Sequence, residues 1–265
     1  MRRAQDNIIR MRPYAQRLSN ILTNLSRLAE DAEPNVYSRK REVNRVLIIV
    51  VTSDRGLAGA FNTNVVKAVH SQVSERYAAQ MDAGQVEFLT LGRKGQENLS
   101  RRGYKMVDQF THVFGNLSFD SVRVAAEYAM ERFVSGYYDQ VDIVYNEFKN
   151  VATQIIRTEQ FLPIEEKQQE AAAEAQVLDY IFEPNKEEIV EELIPKSLKI
   201  QVYKAVLESN ASEHGARMTA MDKATDNAGE LLKELKLTYN RSRQAAITTE
   251  ILEIVGGAEA LAASR

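Results

Sequence analysis

Apolar residues follow a different pattern in each of three parts of the chain, and each pattern predicts its own elements. In the first thirty residues Ile8, Met11, Ala15, Leu18, Leu22, Leu25 and Ala29 stand three and four apart, which makes one apolar seam on a helix. Arg10, Arg12, Arg17 and Asn20 fall on its other faces. Pro13 costs about 3 kcal/mol inside a helix, so it predicts a kink or a start at that point. Then RVLIIVVTS (45–53) runs without a polar break, as a strand buried on both faces requires. A helix over 60–80, a strand VEFLTLG (86–92), a helix over 117–135 and a strand QVDIVYNEF (140–148) follow. TQIIRTEQFLP (153–163) alternates and predicts a half-exposed strand. This succession argues for an α/β fold, a mostly parallel, doubly wound sheet flanked by helices. Residues 164–176 are polar and Ala-rich, as in an exposed loop or short helix, and 178–184 read as a short strand closed by Pro184.

The third pattern begins near Asn185. Leu207, Ala211, His214, Met218, Met221, Thr225, Ala228, Leu232, Leu235, Tyr239, Ser242, Ala246 and Thr249 keep the three-four spacing without interruption. About six heptads of it predict a coiled-coil helix. Helical from 186 to 262, the segment would be about 110 Å long at 1.5 Å per residue. Ala, Ser, Thr and His replace Leu or Ile at many seam positions. A buried Leu stabilises by roughly 1.5–3 kcal/mol and Ala by far less, so the pairing is close but weak. Three domains result: a coiled-coil helix over 1–32, a Rossmann-like α/β domain over 45–184 and a second coiled-coil helix over 185–265. The last stretch, QAAITTEILEIVGGAEALAAS, carries only Glu250, Glu253 and Glu259 as charges and is apolar on most faces. Such a helix needs an enclosing surface. Gly256 and Gly257, at about 1 kcal/mol each, predict fraying or an end there.

Composition narrows the chemistry. The 265 residues hold 34 Lys and Arg against 37 Asp and Glu, a net charge of −3 that speaks against a generally basic nucleic-acid binder. With no cysteine, disulfides, thiolate zinc sites and thiol nucleophiles are excluded. His70, His112 and His214 are far apart and sit in no motif. The acidic pairs Glu165–Glu166, Glu187–Glu188 and Glu191–Glu192 read as solvated faces. No apolar run reaches the roughly 18 residues of a membrane span, and MRRAQDNIIRMRPYAQ lacks the apolar centre of a signal peptide. The expectation is an intracellular chain.

One stretch imitates a nucleotide site. TSDRGLAGAFN (52–62) follows the first strand, where doubly wound folds bind phosphates. It has neither G-x-G-x-x-G nor a Gly-Lys-Ser/Thr ending, and Asp54 would repel phosphate. The Arg-rich NRSRQAA (240–246) is a better site. Arg241, Arg243 and Gln244 border the apolar end, and Arg forks suit carboxylates of a partner.

The stretches TSDRGLAGAFN (52–62), YIFEP (180–184) and 211–261 resemble the gamma subunit of the rotary ATP synthase, and the resemblance covers nearly the whole chain. It implies a central-stalk rotor with no active site and no cofactor of its own. The two terminal helices would form an antiparallel coiled coil inside a hexamer of alternating alpha and beta subunits. The α/β domain would meet the epsilon subunit and the membrane c-ring, on the cytoplasmic face of a bacterial inner membrane. Proton flow would turn the ring, and the ring this subunit. By similarity, Arg243 and Gln244 would contact acidic loops of the surrounding subunits, with Arg241, Thr248 and Glu250 close by. Tyr180, Phe182 and Glu183 would lie near the polar loops of the ring, and Phe182 stands where the family often has a second Tyr. The family's first helix begins well before the counterpart of Met1, so the upper shaft would hold one helix. The competing expectation is a nucleotide-binding α/β enzyme with a coiled-coil dimerisation arm. A static coiled-coil adaptor is the third.

Overall fold

The computed structural model describes residues 2–28, 35–107, 110–164 and 186–263. The elements in order are α1 (Arg2–Leu28), β1 (Val46–Val51), α2 (Phe61–Arg76), α3 (Ala78–Asp82), β2 (Val86–Leu91), α4 (Arg93–Ser100) and β3 (Lys105–Val107). A 3-10 turn (Val113–Asn116), α5 (Phe119–Val134), β4 (Gln140–Phe148), β5 (Gln154–Leu162) and α6 (Lys186–Ala263) complete the series. The chain divides into two units, Met1–Thr219 and Ala220–Arg265.

The first unit is built on a five-stranded sheet ordered β3-β2-β1-β4-β5. β1 pairs in parallel with β2 and β4, β2 in parallel with β3, and β5 runs antiparallel on the edge beside β4. Every residue of β1 is buried, because helices cover both faces. Val46, Ile48 and Val50 point to one face and pack with Val65, Val66, Val69 and Val73 of α2. Leu47, Ile49 and Val51 point to the other, with Ala125, Ala126, Ala129 and Phe133 of α5 and Leu198, Val202 and Val206 of α6. The first part of α6 is thus a sheet-covering helix. α1 joins it through a small cluster in which Ala4 and Ile8 meet Phe148, Leu207 and Ala211.

Each face carries one buried carboxylate. Asp142 on β4 is fully buried and accepts from Tyr77 Oη at 2.5 Å, from Gln140 Nε2 at 3.1 Å and from Gln72 Nε2. Burial pushes its carboxyl above the usual range, and these hydrogen bonds oppose that only in part. Glu87 on β2 accepts from Tyr138 Oη at 2.7 Å, Tyr137 Oη at 3.0 Å and Lys105 Nζ at 2.5 Å. Burial pushes this carboxyl up too, but the three donors outweigh it and hold it below the usual range.

The structure departs from the sequence reading in five places. The helix expected over 60–80 breaks at Tyr77, whose backbone leaves the helical region (φ −128°, ψ 25°) and whose ring turns into the core to reach Asp142. α4, β3 and the 3-10 turn went unforeseen, since eight, three and four residues are too short for a period to show. α1 passes through Pro13 instead of starting there. α6 continues through Gly256 and Gly257 to Ala263. His214, placed on the seam, is 42% exposed beside Glu213. The segment 165–185, with its expected loop and short strand, lies outside the described residues.

Candidate partner-binding surface

The turn after β1 is held by its own neighbours. Gly95 N–H donates to Thr52 Oγ1 at 2.8 Å, Lys94 N–H to Ser53 O at 3.0 Å and Arg93 N–H to Asp54 Oδ1 at 3.0 Å. Residues 52–54 therefore satisfy the first amides of α4. Ser53 N–H donates to Asn62 Oδ1 at 3.0 Å, closing the turn from the α2 side. Leu57 and Gly59 take left-handed conformations (φ 62° and 58°), and the Leu57 side chain is 76% exposed. Arg217 of α6 donates to Gly56 O at 2.6 Å while its guanidinium pairs with Glu213. The glycine-rich turn serves here as a structural joint between β1, α2, α4 and α6.

A second joint lies at the far end of β4. Glu208, 1% exposed, receives Arg12 Nε and Nη2, each at 2.7 Å, in a bidentate fork. Its Oε2 also accepts from Phe148 N–H at 3.0 Å, while Arg12 Nη2 donates to Phe148 O at 2.6 Å. Two helices thus hold both backbone polar groups of the last residue of β4. Nearby, Ser212 Oγ donates to Asn146 O at 3.2 Å, and a Cβ on Gly215 would stand 3.0 Å from Val151 O. None of these pairings was legible beforehand. Arg12 read as one of several polar-face residues and Glu208 as none in particular.

The second unit is the outer part of α6. From Met221 to Ala260 every residue is exposed. The exposed side chains include Leu231, Leu232, Leu235, Leu237, Tyr239, Ile247, Ile251, Leu252, Ile254 and Val255, between 47% and 72% accessible. Arg241, Arg243, Gln244, Thr248 and Glu250, singled out from the sequence, are all here on one helix and all exposed. Thr248 Oγ1 donates to Gln244 O at 2.8 Å, the usual way a helical Thr satisfies its hydroxyl. Arg241, Arg243 and Glu250 form no ion pair among the described residues. Tyr180, Phe182 and Glu183 fall outside those residues. Among the described residues no three His, Asp or Glu are grouped to hold a metal ion, and no helix is long and apolar enough to cross a membrane.

An α/β body that carries a helix with this much exposed apolar surface defines a subunit of a larger assembly. The family model described as ATP synthase matches residues 1–261. The ATP synthase gamma chain of Cytophaga hutchinsonii is 61% identical over 262 residues, which cover 98% of this chain and 89% of that one. The gamma chain of Flavobacterium johnsoniae is 52% identical over 98% of this chain and 88% of its own length. The chain belongs to the ATP synthase gamma family, whose members are non-catalytic subunits of that enzyme complex. Its fold resembles a chain of the Euglena gracilis mitochondrial ATP synthase OSCP/F1/c-ring structure (TM-score 0.61, 21% identity, 99% of this chain and 95% of that one). It also resembles one of the Tetrahymena thermophila central stalk/c-ring structure (TM-score 0.53, 23% identity, 84% and 98%).

Proposed function

We propose that this chain is the rotating shaft of a proton-translocating ATP synthase, passing the rotation of a membrane c-ring to a hexamer of alpha and beta subunits. One observation carries the reading. All forty residues of α6 from Met221 to Ala260 are exposed, large apolar side chains such as Leu232, Leu235, Ile251 and Ile254 among them, and a protein sleeve would cover these. A shaft must be slim and slide, which suits a seam of small residues and a tip low in charge.

On this reading residues 1–32 and 185–265 form the shaft, and 45–184 form the body that meets the epsilon subunit and the ring. Arg241, Arg243 and Gln244 would take carboxylates of the sleeve, with Thr248 and Glu250 adjacent. Tyr180, Phe182 and Glu183 would face the polar loops of the ring. The chain would be held at the cytoplasmic face of a bacterial inner membrane through the complex. The occupied Ser53 amide, and the Phe61 N–H that opens α2 bonded to Ala58 O, weigh against the nucleotide-binding alternative.

Affinity purification of the tagged chain from gently solubilised membranes of its host, followed by native mass measurement, tests this. One tagged chain per alpha–beta hexamer, with epsilon and the ring present, is expected. Recovery of the chain alone or as a simple dimer would contradict the reading.

A further inference from the structure

The Arg12–Glu208 pair does something that stability alone does not explain. Hydrophobic burial already holds α6 to the sheet through Leu198, Val202 and Val206. Such contacts are non-directional and roughly proportional to the area buried. The fork at Glu208 is directional: four hydrogen bonds, each at 3.0 Å or less, fix α1, α6 and the end of β4 to one another at a single residue, Phe148. Glu208 is buried, and a buried carboxylate without its partner is costly, so opening the fork is disfavoured. Ser212 and Gly215 bring α6 against the same end of the β4–β5 hairpin through Asn146 O and Val151 O. The Phe148 side chain also packs in one buried apolar cluster with Ala4, Ile8, Leu207 and Ala211.

We propose that the Arg12–Glu208–Phe148 clasp is the joint through which force passes between the α/β body and the two terminal helices. The inference rests on the shaft reading above. Arg12 and Glu208 are positioning residues: they touch no reacting atom, and they keep the helices from slipping or twisting relative to the sheet under load. Arg suits the task because its planar fork engages both carboxylate oxygens and still reaches Phe148 O, which a Lys ammonium on its flexible stem cannot do with the same rigidity.

The test uses the complete ATP synthase in vesicles, carrying Arg12→Lys, Glu208→Gln or Arg12→Met. Ions moved per ATP hydrolysed and the rate of hydrolysis are measured together, with subunit stoichiometry recorded for each preparation. Assembled complexes of the variants are expected to hydrolyse ATP at near the parental rate while moving several-fold fewer ions per ATP. A bead fixed to the body is expected to show wider angular fluctuation about each dwell. Arg12→Lys, which keeps the charge, is the variant expected to assemble most completely, so the ratio can be read even where the others assemble poorly. An unchanged ratio and unchanged fluctuation in assembled Arg12→Lys complexes would overturn the proposal and leave the shaft reading intact. A parental complex that lacks this chain, or moves ions without it, would instead overturn the shaft reading itself.

Discussion

A Cβ placed on Gly92 would stand 2.3 Å from the carbonyl oxygen of Thr52. Gly92 has φ 116°, a region side chains rarely adopt, and it is the residue that turns β2 into α4. Because Thr52 Oγ1 donates back to Gly92 O at 3.2 Å and accepts from Gly95 N–H, the two strand ends are locked face to face. Gly92→Ala is therefore expected to lower stability by roughly 2–4 kcal/mol through backbone strain and overpacking. Denaturant unfolding of the parental and variant chains would show it, and equal midpoints would contradict it.

Asp142 sets an opposite slope to that of ordinary surface acids. Its folded pKa is raised above the unfolded value, so its favourable contribution is fully present below the unfolded pKa and is lost as pH rises through the folded one. Asp142→Asn is expected to remove that loss. Unfolding midpoints measured from mildly acidic to neutral pH should be higher for the variant at the neutral end and converge toward acid. A variant less stable than the parent throughout would contradict this.

Glu87 works in the reverse sense. Its folded pKa is depressed, so the stability it contributes is present above the unfolded pKa and is lost as pH falls through the folded value. Glu87→Gln should lose stability at neutral pH and show a flatter decline on acidification than the parent. Lys105 is 60% exposed, so solvent screens its charge, and Lys105→Met is expected to cost about 1 kcal/mol or less.

These buried groups also mark the boundary of what the sequence discloses. β1 was legible because an unbroken apolar run in a strand demands cover on both faces, and β4 was placed over 140–148, its observed span. α6 was legible because a three-four apolar spacing kept over many turns matches the period of a helix and of no strand. Arg12 and Glu208 stand 196 residues apart, and no local pattern links a charge on one helix to a charge on another. The residues themselves put Arg241, Arg243 and Gln244 on one helix, and the resemblance added Thr248 and Glu250. On the shaft reading, what surrounds them is set by other chains.

Changes on the outer helix are expected to separate folding from assembly. Ile251 is 55% exposed, so Ile251→Glu should shift stability of the chain by no more than roughly 0.5 kcal/mol. Burying that charge in a sleeve would be expensive, and the variant should fail to recover the alpha and beta subunits from membranes. Undiminished recovery would show that Ile251 faces solvent in the assembly.

The most direct test of the shaft reading exploits the absence of cysteine from the chain. A single Ile247→Cys variant, assembled into the ATP synthase with a cysteine on the facing subunit, would be oxidised to a disulfide and assayed for ATP hydrolysis before and after reduction. The reading expects turnover to stop when the bond forms and to return when it is reduced, because a shaft fixed to its sleeve cannot turn. Full turnover with the bond in place would contradict it.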